Sequence, residues 1–166
     1  MPVRLPEPES LDPVPGLRIA AAAAGIRYSG RDDLVLFEIA QGGTAAAVFT
    51  RNAFCAAPVT VARTHLAARA PRYLLINSGN ANAGTGDAGL AAARASCAAL
   101  AGVAGCESEE VLPFSTGVIG EPLPLDLITK TLPSLVADLD GGGWLRAMRA
   151  IMTTDTVGKG VSRRGS

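Results

Sequence analysis

Ser115, Thr116 and Gly117 close the apolar run in "VLPFSTGVIGEPLP". A threonine followed by a glycine at a strand end can turn a hydroxyl and an unobstructed backbone N–H toward one point. An oxyanion hole needs such donors where negative charge develops on a tetrahedral intermediate, each worth about 3–4 kcal/mol. Read locally, the plainer interpretation is a glycine turn ahead of a helix. A second cluster, "IMTTDT", sets Thr153, Thr154 and Thr156 around Asp155. It offers hydroxyls to a polar substrate, or simply reflects strand propensity, the safer local reading. A serine or threonine nucleophile needs an adjacent base, and neither His65 nor any lysine is visibly paired with one of these hydroxyls.

A third motif is "NSGNANAGTGDAGL", residues 77–90, in which Gly84, Gly86 and Gly89 spell G-x-G-x-x-G. A dinucleotide site wants its first glycine at the very end of the strand, so that the pyrophosphate meets the following helix at once. Here Ser78 to Gly84 intervene, and the acidic residues Glu107, Glu109 and Glu110 precede the next strand instead of closing it. The spacing argues against a dinucleotide, and the lack of Gly-Lys-Ser/Thr excludes a P-loop. What remains is a loop of glycines and asparagines able to take left-handed backbone angles and to satisfy its own amides. It is either a well-made strand-to-helix connection or the wall of an active site.

Composition narrows the classes. The 166 residues suffice for one domain, and at 48% hydrophobic they can bury a core. Lys plus Arg and Asp plus Glu stand at 15 each, so no basic field invites nucleic acid. "IAAAAAGI" falls far short of the roughly 20 apolar residues of a membrane span, and "MPVRLPEPES" has no signal-peptide core. No membrane association and a cytoplasmic location are expected. Cys55, Cys97 and Cys106 form no C-x-x-C pair and read as reduced thiols. The single histidine, His65, lies in a helix-like segment and reads as structural. One imidazole and scattered carboxylates assemble no transition-metal site from this chain alone.

The elements that must position these residues follow from hydrophobic pattern and turn chemistry. After a proline-rich lead, residues 1–15, "LRIAAAAAGI" and "LVLFEI" read as two strands of a hairpin around the turn "YSGRDD". "TAAAVFT" reads as a third strand. Residues 58–68 are helical with Pro58 in the first turn, and "RYLLIN" is a buried strand. "DAGLAAARASCAALAGVAG" is a helix with Asp87 as a plausible N-cap and Gly102 or Gly105 as its stop. "EEVLPFS" is a strand, and "LPLDLITKTLPSLVADLD" is helical but kinked or divided at Pro133. "GGGWLRAMRAIM" gives a last helix, followed by a polar, β-leaning tail. Strands cluster before Pro58 and alternate with helices after it, which points to a mixed α/β layer fold. The closing "SRRGS" follows an element that looks unfinished, as in a chain cut short.

Taken in order, "AAGIRYSGRDDLVLFEI", "AAVFTRNAFCAAPV", "LLINSGNANAGTGDAG", "LPFSTGVIGEPLP" and "AIMTTDTVGKG" resemble the N-terminal portion of the ornithine acetyltransferase family, the glutamate N-acetyltransferases of arginine biosynthesis. The resemblance runs from about Gly16 to about Gly160. It implies an αββα two-layer sandwich, of which residues 16–166 would be a single α/β domain, incomplete without a C-terminal β chain. Precursors of that family cut themselves before a threonine, which then attacks the acetyl donor with its own amine as base. Acetyl passes from N-acetylornithine to glutamate through an acetyl-enzyme, without metal or nucleotide; some members also accept acetyl-CoA. Thr116 and Gly117 match the family's oxyanion pair, and Thr153 its substrate-contacting threonine. The self-cleavage segment, a Lys-Gly-x-Gly-Met run leading to Ala-Thr, is not found, and "KGVS" from Lys159 imitates only its first two residues. The resemblance thus implies one chain of an α/β heterodimer that pairs further, as a heterotetramer, and that is inactive alone. A self-cleaving aminopeptidase-like hydrolase and a noncatalytic small-molecule binding module are the alternatives.

Overall fold

The computed structural model describes residues 6–164. Its centre is a four-stranded sheet in the order β1 (Leu17–Ala22), β2 (Leu34–Ile39), β3 (Tyr73–Asn80), β4 (Val111–Val118). β1, β2 and β3 are antiparallel neighbours, so the expected hairpin forms, with Leu17 opposite Ile39 and Ala22 opposite Leu34. β3 and β4 are parallel, which demands a crossover. Helix α2 (Gly86–Ala104) supplies it.

Alternation along the strands sends side chains to two faces. Ala20, Leu34, Leu36, Tyr73, Leu75 and Val111 face α1 (Ala57–Ala68), α2 and α3 (Leu125–Ala137). Against them lie Val61, Cys97, Leu100, Ile128, Leu132 and Leu135, all essentially inaccessible. Burying each large aliphatic side chain contributes about 1.5–3 kcal/mol, so this layer dominates cohesion. On the opposite face Ile19, Ala21 and Val35 meet Ala147 and Ala150 of α4 (Trp144–Ala150), and the Phe37 and Trp144 rings pack edge to face at 5.8 Å. α4 covers only the β1–β2 side; on β4, Phe114 remains 42% exposed.

Several elements differ from expectation. "TAAAVFT" is not a strand, because among the described residues no neighbouring segment pairs with its backbone, and Val48 is fully exposed. β3 continues through Asn80, so "NSGN" belongs to a strand and the loop starts at Ala81. β4 likewise runs through Thr116 and Gly117, while Ser108–Glu110 form a 3-10 turn ahead of it. α2 begins at Gly86 after Thr85, which leaves Asp87 inside the first turn, where its charge complements the helix dipole without capping an N–H. Gly105, at φ +67°, is the stop. α3 passes Pro133 unbroken. The ring is exposed, as is Thr129, whose carbonyl loses its partner, and burial of Ile128, Leu132 and Leu135 holds the helix together. The tail after α4 makes turns rather than strand. Among the described residues no helix is long and apolar enough to cross a membrane, and no three metal-capable side chains gather.

Candidate functional site

The parallel strands β3 and β4 end side by side, bringing Ser78, Gly79 and Asn80 against Thr116, Gly117 and Val118. Gly79 pairs with Gly117, and the register then slips at Asn80, which faces both Thr116 and Val118. This is a bulge that turns the strand ends. It requires glycine twice. Gly117 has φ +136°, and a Cβ there would fall 2.3 Å from the Gly79 carbonyl carbon; Gly79 has φ +97°, and its Cβ would meet Arg27 Cβ at 2.6 Å. The two backbones touch directly, with the hairpin turn laid over them.

Buried amides lock this crossing. Ser115 Oγ donates to Asn77 Oδ1 at 2.5 Å, and Asn77 Nδ2 donates to the Asn80 carbonyl at 2.8 Å. Asn80 Nδ2 donates to the carbonyls of Glu121 and Pro122, the chain leaving β4, while its Oδ1 accepts from Asn82 N–H. Asn82, fully buried at φ +44°, donates to Gly89 O and accepts from Thr85 Oγ1. Thr85 and Asn82 thus lie against the first turn of α2, the place a pyrophosphate would take. The asparagine loop is a brace for the strand ends. Satisfied buried networks of this kind rigidify what they hold.

In front of the crossing lies a cavity of about 240 Å³. Ser78, Gly79 and Gly117 form its floor; Arg27, Arg31 and Asp33 of the hairpin turn and Met152, Thr153 and Thr154 after α4 form its walls. Two of the three residues that the resemblance assigns to a site, Gly117 and Thr153, therefore line one cavity. Thr116 does not line this cavity. It sits one residue back, half-buried, in register with Ser78 and Asn80. Among the described residues neither the Thr116 nor the Thr153 hydroxyl has a hydrogen-bond partner.

The walls are held by charge. Asp33, 3% exposed, accepts from Ala24 N–H and Ile26 N–H at 2.7 and 2.6 Å and so shapes the turn that carries Arg27. Arg27 Nη1 donates to Glu121 at 2.7 Å, and that bond raises the guanidinium pKa further above its ordinary value. The cavity offers hydroxyls, guanidinium groups and glycine backbone, and no imidazole or thiol lines it. His65 is remote and structural, its Nδ1 2.8 Å from Val111 O. Cys97, sealed in the core, has its thiol pushed up to about 12 by burial. All three cysteines are free. A larger cavity, about 1010 Å³, lies between residues 11–15 and 159–164 over Phe37, Trp144 and Met148, and shares no lining residue with the smaller one.

Reading the sequence missed Arg27, Arg31, Asp33 and Ser78. "RYSGRDD" has the composition of a turn, and only the fold brings that turn over the β3–β4 ends. The available signal was two arginines flanking a glycine turn, with a carboxylate after them.

The model of a protein family described as the ArgJ family matches residues 18–166. Proteins named arginine biosynthesis bifunctional protein ArgJ are 60% identical over 154 residues in Methylococcus capsulatus and 52% identical over 157 residues in Psychrobacter arcticus, covering 93% and 95% of this chain. The chain spans 38% and 39% of the length of these curated relatives. The crystal structure of ornithine acetyltransferase from Mycobacterium tuberculosis, complexed with ornithine, is similar with a TM-score of 0.82 at 40% identity, over 87% of this chain and 79% of that one. That of the arginine biosynthesis bifunctional protein from Bacillus halodurans gives 0.77 at 33% identity, over 86% and 75%.

Proposed function

The chain belongs to the ArgJ family, and from that premise we propose that it is the N-terminal chain of a two-chain acetyltransferase of arginine biosynthesis. Its reaction moves acetyl from N-acetylornithine to glutamate. A threonine of the partner chain, cut from the same precursor, attacks the acetyl carbonyl with its own amine as base, and ornithine leaves. The glutamate amine then takes acetyl from the threonine ester, restoring the hydroxyl.

In this reading the present chain supplies stabilisation and binding. The Gly117 N–H on the cavity floor and the Thr116 hydroxyl, one residue back and outside the cavity lining of the chain by itself, donate to the oxyanion of each tetrahedral intermediate. That intermediate forms where the partner chain's threonine meets this strand end, and Thr153 contacts the substrate. The supporting observation is the convergence of Gly117 and Thr153 on one cavity, although 36 positions separate them in the chain. A donor that strengthens only as the oxyanion forms raises turnover rather than ground-state binding. Thr116→Ala in the complete enzyme should therefore lower turnover by about 100-fold with little change in KM. Unchanged turnover returns the motif to a plain glycine turn. Acetyl-CoA is proposed as a second acetyl donor, tested by glutamate-dependent release of the coenzyme A thiol.

A further inference from the structure

The last carbonyls of a helix have no intrahelical donor. At the end of α4 one side chain from a distant part of the chain takes that role, and a second holds the chain just beyond the helix. Ser78 Oγ donates to Ala150 O at 2.6 Å, and Arg31 Nη2 donates to Met152 O at 2.6 Å, with Arg149 O at the 3.5 Å limit. Ser78 is 2% exposed and stands beside Gly79 on the cavity floor; Arg31 stands on the hairpin turn that Asp33 shapes. α4 is only seven residues long, and Thr153 follows it by three.

We propose that Arg31 and Ser78 are positioning residues for Thr153. They tie the C-terminal turn of α4 to the two elements that wall the cavity, and so fix the span between Thr153 and Gly117 that a substrate must bridge. Arg31 carries the larger share, because its bond is charge-assisted and ends on the residue next to Thr153. The inference rests on the reading of Thr153 as a substrate contact.

The test is a double-mutant cycle in the complete two-chain enzyme. Arg31→Ala should raise KM for N-acetylornithine about tenfold, the equivalent of one charge-assisted hydrogen bond, with kcat altered less than about threefold. Arg31→Lys, which keeps one cationic donor, should recover most of the loss. Placed on Thr153→Ala, Arg31→Ala should add little, because its effect runs through the threonine already removed. Ser78→Ala, which leaves the side-chain volume nearly unchanged, should repeat the KM rise if Arg31→Ala fails to fold. Full multiplication of the two effects, or a fall in kcat at constant KM, overturns the positioning role while Thr153 keeps its own. An unaltered KM in Thr153→Ala refutes the substrate contact and removes the inference with it.

Discussion

A Cβ on Gly117 would lie 2.3 Å from the Gly79 carbonyl carbon and 2.5 Å from Asn80 N, and the backbone there sits at φ +136°. Neither obstacle is the movable end of a side chain. Gly117→Ala should therefore cost about 2–5 kcal/mol, the sum of overpacking and an unfavourable backbone region. In the complete enzyme it should lower the melting temperature and abolish turnover together, whereas Thr116→Ala should reduce turnover at an unchanged melting temperature. Equal melting temperatures for both variants would contradict the crossing. Cys97 gives a quieter test. With its thiol raised to about 12 by burial, it should resist iodoacetamide at pH 8 until the fold is opened by denaturant. Of the cavity lining, Gly117 and Thr153 could be named from the sequence because their types and order match a family pattern, while Thr116, named with them, stands one residue back from it. Arg31 and Ser78 could not, since their partners are backbone carbonyls 72 to 121 positions away, and a carbonyl leaves no mark in the sequence.

At the scale of elements, Glu38 of β2 joins three strands. Its carboxylate pairs with Arg18 directly across on β1, accepts from Tyr73 Oη on β3 at 3.0 Å, and lies 3.7 Å from Arg72. The bond to Arg18 leads in holding its pKa below the ordinary 4.5. A carboxyl that titrates lower when folded stabilises the fold fully above its unfolded pKa and loses that contribution as pH falls through the folded value. The denaturation midpoint of the complete enzyme should drop on acidification below about 4.5, and Glu38→Gln should flatten that part of the profile. An identical acid limb in the variant would remove Glu38 from this role. The same sheet shows why some elements could be read and others not. β1 and β2 carry apolar runs, and α1 and α2 apolar stripes, that their own residues bury, so pattern and fold agree. "TAAAVFT" has strand composition without a strand beside it, and composition says nothing of partners. β3 and β4 outran their apolar cores because the backbone ladder continues through Gly79 and Gly117 and is braced by the Asn77 and Asn80 amides, which no periodicity records.

Across the whole molecule, one sheet face is finished and the other is not. α1, α2 and α3 close the first, while α4 closes only half of the second, leaving Phe114 of β4 42% exposed. The large cavity over Phe37, Trp144 and Met148 opens on that face, and the buried Trp144 Nε1–H there has no acceptor among the described residues. Exposed apolar area of this kind marks an interaction surface or an aggregation hazard. Under the two-chain reading it is the seat of the partner chain, whose sheet would complete the sandwich and whose threonine would reach the Gly117–Thr153 cavity. Residues 1–166 expressed alone should then be poorly soluble, bind hydrophobic dyes and transfer no acetyl from N-acetylornithine to glutamate. Co-expression with the remainder of the precursor should restore solubility and transfer in the same preparation, because one surface governs both. If solubility returns without transfer, the partner covers the face but brings no nucleophile to the cavity, and the site assignment fails while the docking face stands. A soluble, monodisperse and active isolated chain would refute both.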